Sequence, residues 1–114
     1  MKRNLLYSKE FVEFKETLSE RAKLKLDFSI SILQNEFPIS NKFVKKLISS
    51  DFYELRIKVD NEIRVILFAI DNQNLNLATK ILVLNGFIKK SNKDYERNIQ
   101  KAYTILNDII DLIK

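Results

Sequence analysis

Tyr53-Glu-Leu-Arg-Ile-Lys-Val59, then Asp60-Asn61, then Glu62-Ile-Arg-Val-Ile-Leu-Phe-Ala-Ile70 is the stretch on which the reading of this chain turns. β-Branched and aromatic residues fill both runs and turn formers separate them, which is the pattern of two strands in a hairpin. Side chains alternate along a strand, so Tyr53, Leu55, Ile57 and Val59 take one face while Glu54, Arg56 and Lys58 take the other. A three-residue connection, Asp60 to Glu62, sets Val59 against Ile63 and Lys58 against Arg64. A two-residue connection slips the register by one and drives Arg64 among the apolar side chains, where an unpaired charge is costly. The longer connection is therefore expected, with Arg56, Lys58 and Arg64 together on an exposed face opposite the core.

Ahead of the hairpin, residues 3 to 7 read as a short strand and Ser8 as a helix N-cap, with Tyr7 and Val12 spaced as a hydrophobic staple. Thr17-Leu-Ser-Glu20 has the form of a capping box, so a second helix is expected to begin there. That segment fits both templates. Ala22, Leu26, Ile30, Leu33 and Phe37 recur helically, yet Leu24 to Ile32 alternates strictly; its length, without Gly or Pro as far as Glu36, decides for helix. Pro38 ends it, and Asn41 to Leu47 is a connector carrying Lys45 and Lys46.

After a polar loop around Asp71 to Asn74, residues 78 to 88 form a third strand of the same strength. Gly86, the only glycine, marks a bulge or a close backbone approach there. Ile99, Ala102, Tyr103, Leu106, Ile109, Ile110 and Ile113 make one apolar helical stripe, with Asn92 or Asp94 as its cap. The order β-α-α-β-β-β-α predicts a single α+β domain over residues 1–114. Its small antiparallel sheet packs against two N-terminal helices and a C-terminal helix.

A chain of 114 residues with 46% hydrophobic and 31% charged residues is ordinary for one globular domain. Zero Cys removes disulfides and thiol chemistry, and zero His removes the commonest metal ligand and neutral-pH base, so no metal or other cofactor is expected. Neither a signal peptide nor a membrane-length apolar run is visible, which points to the cytoplasm. The net charge of +5 is concentrated locally. Lys42, Lys45, Lys46, Arg56, Lys58 and Arg64 form one basic stretch, and Lys80, Lys89, Lys90, Lys93, Arg97 and Lys101 another. Such stretches suit a polyanion or an acidic partner, or serve only as a solvated face.

Tyr53-Glu-Leu-Arg56, Ile63-Arg64-Val65 and Leu84-Asn-Gly-Phe-Ile-Lys-Lys90, with Val44-Lys-Lys-Leu47 ahead of the hairpin, resemble the HigB-type branch of the RelE/ParE toxin superfamily. These are small basic toxins of bacterial type II toxin–antitoxin systems, and the resemblance runs from Ser8 to about Ala102. Two departures stand out. Asn85 occupies the place where this branch usually has His before Gly-Phe, and the loop from Asp71 to Thr79 is longer than usual.

The resemblance implies an endoribonuclease that cleaves mRNA on the translating ribosome by attack of a ribose 2′-OH on the adjacent phosphate. Its implied partners are a cognate antitoxin, commonly with a DNA-binding helix-turn-helix, the ribosome and mRNA. Such a reaction needs a base, positive charge for the phosphorane and an acid for the leaving oxygen. Arg56 and Arg64 are the candidates for charge stabilisation, and Lys89, Lys90, Tyr95 and Glu54 for proton transfer. Lys45, Lys46, Lys58, Lys93 and Arg97 are candidates for binding RNA. A plainer reading pairs Arg56 with Glu54, and Arg64 with Asp60 or Glu62, as surface ion pairs. On the same fold, the ParE branch inhibits DNA gyrase without catalysis. A simple nucleic-acid-binding module is a third possibility.

Overall fold

The computed structural model describes residues 2–113. Its elements are β1 (Asn4–Tyr7), α1 (Lys9–Glu16), α2 (Glu20–Asn35), β2 (Val44–Lys46), β3 (Tyr53–Val59), β4 (Asn61–Ala69), β5 (Lys80–Ile88) and α3 (Asn92–Ile113). A short 3-10 turn, Leu75–Leu77, sits in the long loop before β5. The α+β class and the order of the main elements follow the sequence reading, with two additions. One is β2, whose three residues are too few to carry a strand pattern. The other concerns direction: the sheet, ordered β1-β5-β4-β3-β2, is antiparallel except that β1 lies parallel to β5. Two helices separate β1 from the hairpin strands, so it joins at the far edge and its direction is set by no hairpin.

Both faces of the sheet are covered. Leu55, Ile57, Val59, Ile63, Val65 and Val83 pack against Phe11 of α1 and Leu26 and Leu33 of α2. On the other face Phe52, Ile66, Leu82, Leu84 and Phe87 pack against Ala102, Ile105 and Leu106 of α3. The segment that fitted two periodicities is a helix. It turns Ala22, Leu26, Ser29 and Leu33 inward and leaves Leu24 and Phe28 exposed, and those two outward residues created the strand-like alternation. Its cap is Ser19, not Thr17. Ser19 has the extended backbone that lets its hydroxyl accept from the Ala22 N–H at 3.2 Å, whereas Thr17 is helical and closes α1 through the Phe14 carbonyl.

No basic residue lies in the last turn of α2, and Arg3, just before β1, supplies that charge. Fully buried, its guanidinium donates to the carbonyls of Leu33 (3.0 Å), Glu36 (2.7 Å) and Asn76 (2.8 Å), satisfying helix-end acceptors that would otherwise be orphaned.

The hairpin closes one step tighter than expected. Val59 faces Asn61, Asp60 forms the tip at φ 58°, and Arg56 lies directly opposite Arg64. Aspartate tolerates that left-handed backbone, which permits the short turn. Because the partner changes by two residues, side-chain parity is preserved and Arg64 stays on the face of Arg56 and Lys58. Gly86 meets both expectations made for it. The β4–β5 register shifts between Val65 and Leu67, turning consecutive residues Leu84 and Asn85 toward α3, and a Cβ on Gly86 would collide with the Phe14 ring. Among the described residues no helix is long and apolar enough to cross a membrane.

Candidate functional site

Like charges directly opposed across two strands are unfavourable, so the Arg56–Arg64 pair needs something between its members. Glu54 provides it: its carboxylate lies 3.5 Å from Arg56 Nε and 3.9 Å from Arg64 Nε. Arg64 also donates from Nε to the Tyr95 phenol oxygen (2.9 Å), from Nη1 to the Ile63 carbonyl (3.1 Å) and from Nη2 to Glu62 (3.1 Å). Glu62 in turn lies 3.7 Å from Lys58. The network alternates sign from end to end.

Arg64 and Glu54 are 3% and 4% exposed, which corrects the expectation that this face of the hairpin is open. α3 is the reason. Its first turn crosses the sheet and sets Tyr95 over Arg64, with the Tyr95 ring edge-on to Phe87 at 5.6 Å and Lys89 Nζ 5.5 Å from its centroid. Arg56 is half-buried and Lys58 exposed, because α3 does not reach the β3 edge.

Burial pushes the Tyr95 hydroxyl above the ordinary phenol range, and the neighbouring Glu54 carboxylate adds to the shift against the opposing pull of Arg64. Tyr95 is therefore a neutral proton donor near pH 7, not a phenolate. Desolvation works to lower the Arg64 pKa, but its bonds to Tyr95 and Glu62 and the charge of Glu54 outweigh it, so Arg64 holds its proton more tightly than usual. The hydrogen bond from Arg64 depresses Glu62, helped by Lys58 and Lys89. Glu54 Oε2 makes no hydrogen bond within 3.5 Å among the described residues and is buried 3.9 Å from Arg64 Nε.

Arg56, Lys58, Glu62 and Arg64 of this network line a cleft of about 370 Å³ at the outer edge of β3, together with Lys25, Ser29, Lys42, Phe43 and Ile57, while Glu54 and Tyr95 stand behind the arginines and do not line it. A larger cleft, about 800 Å³, lies at the other end of β4, but there Lys46 is outnumbered by Asp51 and Asp71. Converging cations single out the smaller one.

Glu54, Arg56, Lys58, Arg64, Lys89 and Tyr95 thus lie together in the fold. Lys45 is exposed opposite Glu54 on β2. Four other candidates lie outside the cluster. Lys46 is bound to the Leu47 and Ser50 carbonyls, Lys90 and Lys93 are exposed, and Arg97 pairs with Asp94 at 2.5 Å. Asn85, in the place of the usual histidine, is buried and donates to the Asn98 carbonyl at 3.2 Å, so it ties β5 to α3. Lys25 was missed because nothing in a helical pattern tells which charged residue will overhang a sheet edge.

The family model for phage derived protein Gp49-like matches residues 13–107 of this chain. No curated protein matches it in sequence. Among solved structures, a free arginine-to-alanine mutant of the E. coli toxin RelE aligns with TM-score 0.63 at 13% identity, covering 89% of this chain and 98% of that one. RelE in the intact E. coli RelBE toxin–antitoxin complex aligns with TM-score 0.56 at 15% identity over 78% and 99% of the two chains. The isolated E. coli RelE toxin gives TM-score 0.56 at 14% identity over 87% and 97%. At such identities the likeness is one of fold, and the fold is that of RelE.

Proposed function

The chain belongs to the Gp49-like family of phage derived proteins, and from that membership and the RelE fold we propose that it is the toxin of a type II toxin–antitoxin system, cutting mRNA. The observation that carries the proposal is the Arg56–Arg64 pair lining a basic cleft, held from behind by Glu54 and Tyr95.

In the proposed reaction a ribose 2′-oxygen attacks the adjacent phosphorus and the bond to the 5′-oxygen breaks. A 2′,3′-cyclic phosphate and a free 5′-hydroxyl remain. Arg56 and Lys58 meet the phosphate from the open side, and Arg64 adds charge when Glu62 yields its Nη2 to a phosphate oxygen. The buried Glu54 holds the two arginines in place and does not reach the ribose, so the 2′-hydroxyl proton passes to water, and the neutral Tyr95 phenol gives its proton to the leaving oxygen. Lys89, beside the Tyr95 ring, adds to the positive field. A folded nucleic acid would expose such a linkage poorly, which favours mRNA held open on the translating ribosome. The cognate antitoxin, of the helix-turn-helix kind, would then neutralise the protein in the cytoplasm, as expected for the HigB-type branch.

Expression without an antitoxin tests this. Wild-type protein should arrest growth and leave new 5′ ends inside translated frames, while Arg56→Ala should fold and lose both effects. A folded Arg56→Ala variant of full toxicity would sink the site. Intact mRNA together with gyrase–DNA breaks would favour a gyrase inhibitor on the same fold.

A further inference from the structure

The edge of β3 carries more positive charge than one scissile phosphate needs. β2 pairs with β3 only as far as Leu55, and beyond it Arg56 N–H bonds the Phe43 carbonyl at 2.7 Å before the edge runs free. Two lysines from elsewhere in the chain open into this gap. Lys25, on α2, donates to the Lys58 carbonyl at 2.7 Å, which fixes its ammonium at the edge, and Lys42 stands on the connector before β2. Neither forms an ion pair among the described residues.

We infer that Lys25 and Lys42 form a second phosphate subsite, which holds the RNA backbone next to the linkage clamped by Arg56; this rests on the ribonuclease reading above. The cleft holds five cations, Lys25, Lys42, Arg56, Lys58 and Arg64, against the single carboxylate of Glu62. By contrast, the cleft between α1 and α2 balances Lys15 and Lys23 with Glu16 and Asp27. Arg56, Arg64 and Lys58 are paired with Glu54 and Glu62, so the uncompensated charge is that of Lys25 and Lys42. Lys25 stands at Lys58 and Lys42 next to Phe43, whose carbonyl meets Arg56, so both lie along the β3 edge beside the arginine pair. Cations spread along an edge in this way suit a chain of phosphates better than a single anion.

Binding of a fluorescently labelled single-stranded RNA with 2′-O-methyl riboses, which cannot be cleaved, tests the subsite. The proteins compared are wild type, Lys25→Gln with Lys42→Gln, and Lys9→Gln with Lys101→Gln as an exposed control. Glutamine at position 25 retains a donor for the Lys58 carbonyl, and melting curves check each fold. The Lys25/Lys42 variant should bind about tenfold more weakly at low salt, and its slope of log K against log salt should fall by about 1.4, roughly 0.7 for each lost phosphate contact. With mRNA in a reconstituted translation reaction the same variant should raise KM and leave kcat unchanged. A wild type that binds while this variant matches it or the control overturns the subsite and leaves the ribonuclease reading standing. A wild type that neither binds this RNA nor cuts mRNA during translation overturns both.

Discussion

Between two arginines facing each other across β3 and β4, Glu54 holds a carboxylate with one oxygen unbonded, and Tyr95 closes the group from α3. The alternation of the hairpin sequence placed Glu54, Arg56, Lys58 and Arg64 on one face. It carried no information on what covers that face, since the covering residue lies 31 positions later. The burial matters for experiment: removing Arg64 leaves Glu54 with a single cation, and breaking a buried charge network typically costs about 3–5 kcal/mol. Arg56, at the rim, is the cleaner probe. Tyr95→Phe keeps the ring packing on Phe87 but removes the hydroxyl. We expect a folded protein of slightly lower melting temperature whose kcat for RNA cleavage falls about 10²-fold, the usual size of a lost general acid. Steady-state kinetics beside a melting curve checks this.

At the scale of elements, the bulge in β5 and the cap of α3 position the cluster. Gly86 was legible as a special position, but its partner, the ring of Phe14 on α1, was not. Gly86→Ala should destabilise the fold by about 1–3 kcal/mol through overpacking. Phe14→Leu in the same protein should recover part of that loss, and a double-mutant cycle by urea unfolding measures it.

The start of α3 depends on Asp94, whose carboxylate accepts from the backbone N–H groups of Lys90 (2.7 Å) and Ser91 (2.9 Å). These two bonds, aided by Arg97, depress its pKa. A carboxylate depressed in the folded state stabilises fully above its unfolded pKa and loses that effect as pH falls through its folded value. Stability should therefore decline as pH drops below about 5, and Asp94→Asn should show a shallower decline over the same range. Urea midpoints measured across that range test the sign. Glu62, depressed by Arg64, and Asp71, depressed by Thr79 and Lys80, account for part of the remaining slope.

For the whole molecule, periodicity and turn chemistry sufficed for the α+β class, the hairpin and the three helices. Each of those signals lies within a few neighbouring residues. What the sequence withheld came from distant segments meeting: β1 running parallel beside β5, β2 as a three-residue edge, Arg3 closing the end of α2, and Lys25 overhanging β3. The cleft depends on the last of these and on the early end of β2. The proposed reaction carries a chemical expectation of its own, since 2′-hydroxyl attack leaves distinctive ends. The most direct measurement is therefore the chemistry of the cut itself, made by adding purified protein to a reconstituted translation reaction with end-labelled mRNA. Fragments ending in a 2′,3′-cyclic phosphate and a 5′-hydroxyl, abolished by Arg56→Ala, are the expected result; mRNA left whole while translation stops, or fragments with 5′-phosphates, would contradict it.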